Sequence, residues 1–411
     1  MEWNTLFAAR VSRSRASAIR EIFKLIQMPG IISFAGGMPA PETFPVLALQ
    51  EAAHRLLTEQ PERALQYSVT EGYPPLRAFI AERLRCQGIP ANDANVLITS
   101  GSQQAMDLVS KVFLDPGDRV LVERPTFSAA LQTFSSYLAN CVGAEVDDQG
   151  VLPEQVEVGL ASGAKLIYVQ PNFQNPAGTT LALERREQLI ALADRHGVPI
   201  VEDDPYRDLR YSGEDLPPLM AIDARGRRVS GADDGLAGGL VIHTGSFSKL
   251  LAPGMRLGWI VAPRPVIVQL VIAKQSADLH TSVFDQMLAY EVVKDGFLER
   301  HVPYLRQVYC QRCRTMLEAL ARWFPSGVRW TKPEGGFFIW ATLPEEVDAA
   351  AMLEASVEAG VAYVPGASFF AEDGRLPLTN TMRLNFSYCT PAVIEEGIQR
   401  LGRVLAHWME T

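Results

Sequence analysis

The chain has 411 residues, 47% of them hydrophobic, which is enough for a sizeable core and for two or three domains. Its 38 Lys and Arg against 47 Asp and Glu give a formal net charge of −9, so there is no global pull toward nucleic acid or an anionic membrane, and small anions would need a local basic pocket. Five scattered cysteines (Cys86, Cys141, Cys310, Cys313, Cys389) read as reduced thiols, and no run approaches the ~18 apolar residues of a membrane span.

The first residues are rich in Arg and Ser but lack the apolar stretch of a secretory signal, so a cytoplasmic protein is expected. Apolar positions at helical spacing predict a helix over Ala16–Ile26 that leads into the folded chain. From Asn95 to Val261 short apolar runs alternate with helical patterns, as in an α/β unit with a mostly parallel sheet. The predicted strands are Val96–Thr99, Arg119–Val122, Leu166–Gln170, Ile200–Asp203, Leu240–Thr244 and Gly258–Val261, with helices at Gln103–Phe113, Leu183–His196 and Val266–Ser276. Ser212–Gly239, rich in Gly, Pro and Asp, is expected to be an extended surface loop. After Gly296 the pattern becomes α+β, with a helix from about His301 to Trp323, strands at Phe337–Ala341 and Met382–Phe386, and a last helix from Val393. These shifts predict an N-terminal segment 1–45, a large domain 46–296 and a small domain 297–411. The Cys310/Cys313 pair falls inside the long helix with no second pair and no histidine at metal spacing, so no metal is expected.

The most specific string is Gly245-Ser246-Phe247-Ser248-Lys249-Leu250-Leu251-Ala252-Pro253-Gly254-Met255-Arg256-Leu257-Gly258-Trp259. A lysine that forms a Schiff base needs neighbours that hold the ligand's anion and lower the amine's pKa, and Ser246, Ser248 and Arg256 suit a phosphate. Upstream, Thr99-Ser100-Gly101-Ser102-Gln103 joins a strand to a helix start, where free N–H groups favour an anion. Val201-Glu202-Asp203-Asp204-Pro205-Tyr206 ends another strand, where ligands of open α/β sheets bind. Arg383 is a lone arginine in the apolar strand Met382–Phe386, and its planar guanidinium can grip a carboxylate with two parallel hydrogen bonds.

The lysine string closely resembles that of fold-type I aminotransferases dependent on pyridoxal 5′-phosphate (PLP). The resemblance runs from about Ser14 to His407 and is nearest to the branch of 2-aminoadipate and kynurenine aminotransferases, on SAIREIFKL, ISFAGGMPAPETFP, SGSQQA, VEDDPYR and GSFSKLLAPGMRLGW. It implies an aspartate aminotransferase-like α/β fold, with a large, mainly parallel-sheet domain and a smaller α+β domain. It implies PLP bound to Lys249, its phosphate at Gly101, Ser102, Gln103, Ser246, Ser248 and Arg256, and Phe127 stacked on the ring in place of the family's usual Tyr. Asn175, in the NPxG-like turn Asn175-Pro176-Ala177-Gly178, would meet the phenolic oxygen together with Tyr206. Asp203, three residues before Tyr206, would face the ring nitrogen, while Asp204 receives no role. Arg383 would take the substrate α-carboxylate, and Gly37 would let backbone approach the substrate. Tyr67 would reach the phosphate of a neighbouring subunit in a homodimer with shared sites. Arg20, in the first helix, would meet a side-chain carboxylate.

The implied activity is ping-pong transfer of an amino group from an L-amino acid (2-aminoadipate, glutamate, aromatic or branched aliphatic) to a 2-oxo acid such as 2-oxoglutarate, with Lys249 moving the Cα proton. Another PLP reaction, β-elimination or decarboxylation, would use the same cofactor residues. An aminotransferase-like regulatory domain would carry a DNA-binding unit of roughly sixty residues ahead of ISFAGG, where this chain has about thirty. No nucleic-acid or membrane partner is expected.

Overall fold

The computed structural model describes residues 3–8, 10, 11, 30–227 and 234–410. The helix expected at Ala16–Ile26, and Arg20 with it, lies outside these residues. In chain order the strands are β1 (Ile32–Ser33), β2 (Val96–Thr99), β3 (Arg119–Arg124), β4 (Asn140–Asp147), β5 (Gly150–Val151), β6 (Ala164–Val169), β7 (Ile200–Asp203), β8 (Val241–Ser246), β9 (Gly258–Val261), β10 (Arg329–Trp330), β11 (Phe338–Thr342), β12 (Val361–Ala362), β13 (Val364–Pro365) and β14 (Thr381–Asn385).

The main sheet has eight strands in the order β2-β9-β8-β7-β6-β3-β4-β5. Strands β8, β7, β6, β3 and β4 run parallel, β9 lies antiparallel between β8 and β2, and β5 folds back on β4. A sheet buried on both faces explains why these strands read as unbroken apolar runs. Side chains alternate between the two faces, each with its own apolar layer. Ile98, Ile167, Ile200 and Val241 point into one layer. Leu97, Tyr168, Val201 and Ile242 point into the other, against Met106, Val109, Phe134 and Leu270 of the helices Ser102–Phe113, Ser128–Ser136 and Arg264–Gln275. The alternation decides where the acids go. Asp203 shares a face with Val201, whereas Glu202 and Asp204 share the opposite one.

A second sheet, β10-β11-β14-β13, is antiparallel and packs on the helices Phe297–Trp323 and Pro391–Glu410 through Met316, Leu320, Leu384, Ile398 and Leu401. The chain after Gly30 joins this part: β1 pairs in parallel with β12, and Phe34 is buried in the same cluster.

The stretch Ser212–Gly239 is not simply a loop. It contains the helix Leu219–Gly226, with Leu219, Met220, Ala221 and Ala224 buried. The prolines that suggest irregular chain instead lead into the helix, with Pro218 as its N-cap. Its first N–H groups are satisfied at a distance in sequence: Leu219 N and Met220 N donate to Glu202 at 2.6 and 3.2 Å. Glu202 also accepts from His243 Nδ1 at 3.1 Å, which holds its carboxyl below, and the imidazole above, their ordinary ranges despite full burial. Glu202→Ala should therefore cost about 3–5 kcal/mol, the scale of breaking a buried ion pair. A urea-unfolding series should show it as a lower midpoint with an unchanged slope.

Candidate active site

Asp203 sits at the C-terminal end of β7, 2% exposed, with no basic side chain in ion-pair contact among the described residues. Its carboxylate is held by neutral donors. Oδ2 accepts from Tyr168 Oη at 2.8 Å and Gln170 Nε2 at 2.7 Å, and Oδ1 accepts from Thr244 Oγ1 at 2.9 Å. A carboxylate offers about four lone-pair positions. Both on Oδ2 are filled, while Oδ1 keeps one for a further donor. Burial lifts the carboxyl above its ordinary range, and the three donors oppose that lift.

Lys249 closes the short helical turn after β8, with Nζ donating to Gly37 O at 2.8 Å. Its ammonium is destabilised by burial first, then by the Arg256 and Arg383 cations, which together bring its pKa down to about 8. Tyr206, buried, sets its ring edge against Phe337 and Phe338, and burial raises its hydroxyl pKa.

The turn from β2 to the Ser102–Phe113 helix passes through Gly101 at φ +82°, where the Arg256 guanidinium packs so close that a Cβ would lie 2.5 Å from Nη2. Ser102 and Gln103, as first helical residues, have N–H groups without intrahelical acceptors. Ser246 Oγ and Ser248 Oγ lie 2.9 Å apart on the adjoining strand end. The Gln103 side chain is engaged elsewhere, on Thr133 Oγ1 at 2.7 Å, so only its main chain serves the turn.

Arg383 is buried between the rings of Phe338 and Phe369, its Cζ 4.3 and 4.9 Å from their centroids. It donates to Asn175 Oδ1 at 2.8 Å and Ala35 O at 2.7 Å, and its Nε has no partner. Burial lowers its pKa to about 10, still a cation at neutral pH. The bond to Oδ1 orients the Asn175 amide and leaves Nδ2 as a donor. Gly37 lies against Phe338, whose ring would be 3.2 Å from an added Cβ. Phe127 follows β3, half-buried against the layer that contains Tyr168. Tyr67 stands apart, 78% exposed, its ring in edge contact with His280 among the described residues, 5.7 Å between centroids.

Sequence reasoning missed the residues behind these groups. Tyr168, Gln170 and Thr244 clasp Asp203, and the available signal was polar residues at period two on strands that are otherwise apolar. Glu123, fully buried, accepts from Gln170 N at 3.0 Å and Gln174 Nε2 at 3.3 Å, and burial pushes its carboxyl up to about 8. On the other face, Glu202, Asp204 and His243 form a compact cluster whose acids are hydrogen-bonded within the protein, Glu202 to His243 and to the main chain at Leu219 and Met220, and Asp204 to Asn172 Nδ2 at 2.9 Å.

The model of the family described as aminotransferase class I and II matches residues 30–401. The chain belongs to this family. It is 44% identical to aromatic-amino-acid aminotransferase 1 of Thermococcus litoralis, covering 100% of this chain and 96% of that protein. A kynurenine aminotransferase of Pyrococcus horikoshii, solved in complex with PMP and KYN as substrates and KYA as products, is 43% identical over 99% of this chain and 98% of that one, with a TM-score of 0.91. An alpha-aminoadipate aminotransferase of Thermus thermophilus, solved with N-(5′-phosphopyridoxyl)-L-leucine, is 41% identical over 100% of both chains, again with a TM-score of 0.91. Class I and II aminotransferases move amino groups with PLP, and the expected fold-type I architecture stands.

In this aminotransferase the two adjacent acids should separate cleanly. Asp203→Ala should lower kcat at least about a hundredfold, the scale of losing a buried electrostatic group aimed at the reacting system. Asp204→Ala should leave kcat close to wild type and lower Tm instead, because it strands Asn172 and Arg207 on the opposite face. Equal losses of kcat in the two variants would contradict the assignment. A second expectation concerns Lys249, whose amine must shed its proton to react. In cofactor-stripped enzyme the rate of covalent PLP attachment, followed by absorbance, should rise with pH and level off above about 8. A plateau only above pH 10 would show an unperturbed lysine.

Proposed function

We propose that the chain is a homodimeric aminotransferase that holds PLP on Lys249 and passes the amino group of an acidic, aromatic or branched aliphatic L-amino acid to a 2-oxo acid such as 2-oxoglutarate. One observation carries this reading. At one end is a buried carboxylate with one free lone pair and no cation, and at the other are Lys249, Arg256 and Arg383, none of them ion-paired among the described residues. That distribution fits a ligand with a protonated ring nitrogen at one end, a phosphate at the other and a substrate carboxylate beside it. Gly101, against which a Cβ would meet Arg256, supplies the close backbone approach that a phosphate needs.

When bound, the cofactor supplies an electron sink for charge that develops at the substrate Cα. Asp203 would face the ring nitrogen, and its three neutral donors oppose the burial-driven rise of its pKa and fix the orientation of the carboxyl. The N–H groups of Ser102 and Gln103, the hydroxyls of Ser246 and Ser248 and the Arg256 guanidinium hold the phosphate. Phe127 covers the ring without offering a hydroxyl. Asn175 Nδ2 and the Tyr206 hydroxyl meet the phenolic oxygen. Arg383 receives the α-carboxylate, using the unpartnered Nε and the fork now spent on Asn175 and Ala35. Lys249, an amine of lowered pKa, would hold the cofactor and would serve as the base for the Cα proton. Gly37 leaves room for the substrate beside Phe338.

The shared-site dimer is supported by Tyr67, whose ring, among the described residues, is 78% exposed with an edge contact to His280, and so would be available to a neighbouring phosphate. We place the division of the chain near residues 46 and 297, where the Val46–Glu59 and Phe297–Trp323 helices begin. For the substrate, the relatives' names span aromatic amino acids, kynurenine and alpha-aminoadipate, so a pocket serving both apolar and acidic side chains is the reading adopted. Arg20 is the residue assigned to the acidic ones. A donor panel of 2-aminoadipate, glutamate, kynurenine, leucine, phenylalanine and tyrosine with 2-oxoglutarate tests this on wild type and Arg20→Ala. The variant should lose about ten- to a hundredfold in kcat/KM for 2-aminoadipate and glutamate, the scale of one charge-assisted pair, and little for leucine or phenylalanine. A uniform decline would make Arg20 structural.

A further inference from the structure

Lys274 is the fully buried lysine that the chemistry above does not use. It lies near the end of the Arg264–Gln275 helix, and its ammonium spends its donors on Asp278 Oδ1 and Oδ2, both at 2.8 Å, and on Gln104 Oε1 at 2.7 Å. The same Gln104 oxygen accepts the main-chain N–H of Ser100 at 2.8 Å, and Gln104 Nε2 returns to Asp278 Oδ2 at 2.7 Å. Ser100 Oγ closes the network, 3.2 Å from Asp278 Oδ2 and 3.2 Å from Thr281 Oγ1. Ser100 is thus gripped through its N–H and through its hydroxyl, immediately ahead of Gly101 and the free N–H groups of Ser102 and Gln103. Burying an ammonium is costly, and an apolar side chain would pin two helices together at lower expense. What an apolar side chain cannot do is orient Gln104 to accept from Ser100, or neutralise Asp278 so close to where an anion is to bind.

We propose that the Lys274–Asp278 pair is a positioning device for the cofactor phosphate, fixing the Ser100–Gly101–Ser102 turn from behind through Gln104 and cancelling the acid's charge beside it. The proposal rests on the reading of this turn as a phosphate site. Neither residue touches the ligand, so both act through the main chain of the turn. The effect must therefore be selective for ligands that carry the phosphate.

The test uses cofactor-stripped full-length enzyme, titrated with PLP and, separately, with pyridoxal, which forms the same covalent link to Lys249 but has no phosphate. Both titrations are followed by absorbance. Wild type should bind PLP far more tightly than pyridoxal. Lys274→Met and, independently, Asp278→Asn should each raise the Kd for PLP by roughly tenfold, about the worth of one charge-assisted hydrogen bond, and leave the Kd for pyridoxal unchanged. Combining the two should cost less than the product of the single effects, since both act on one network. Asp278 is partly exposed, so Asp278→Asn decides the matter if Lys274→Met fails to fold. Equal weakening of PLP and pyridoxal in the variants, or no weakening of either, overturns the proposal. A wild type that binds PLP no better than pyridoxal removes the phosphate site itself, and this inference with it.

Discussion

An unpaired negative charge inside a protein is expensive, and the rest of the site is arranged around the one on Asp203. Tyr168, Gln170 and Thr244 give the carboxylate hydrogen bonds without giving it a counter-charge, so they oppose the rise in pKa that burial causes and leave it short of one partner. On the far side the imbalance is reversed. Lys249, Arg256 and Arg383 gather without an acid in contact among the described residues, and the cost falls on the lysine, whose amine is the easiest of the three to neutralise. The protein therefore holds two opposite electrostatic deficits in one site. A dipolar ligand that answers both at once is favoured over any that answers only one.

The sheet makes this separation possible. With side chains alternating strictly along β7, Asp203 and Asp204 are neighbours in sequence and strangers in space, one against Tyr168 and the other against Asn172 and His243. The His243–Glu202 pair below and the Thr244–Asp203 bond above are register partners of the same two strands. The two faces are thus linked directly through the buried strands β7 and β8.

Much of the site was legible because its residues lie in short strings with fixed order. Lys249 with its trailing Arg256, the Asp203–Tyr206 spacing and the Asn175 turn each announce themselves locally, and the structure brings these residues together. What remained hidden depends on contacts distant in sequence. Leu219–Gly226 resembles a loop until Glu202, 17 residues upstream, is seen to accept from its first N–H groups. Lys274 looks like one more charge at a helix end until Gln104, 170 residues away, is found against it. Gln170 carries no motif, yet it ties Asp203 to the main-chain N–H of Asn175 with the two ends of one amide. No local pattern encodes such a tie, since only the packed sheet sets those ends within reach.

Two glycines show how unequally the cavity can tolerate genetic change. At Gly258 on β9 an added Cβ would meet the main chain, 2.8 Å from Gly101 C and 2.9 Å from Ser102 N, and no rotamer relieves a backbone clash. At Gly37 the obstacle is the edge of a single ring, Phe338, at 3.2 Å, and a side chain can turn aside. The turn at Gly101 and Ser102, read above as the phosphate site, is therefore closed to a side chain at Gly258, while the space beside Gly37 can be reshaped by turning one ring. A lineage built on this scaffold can change its diet without relearning its chemistry.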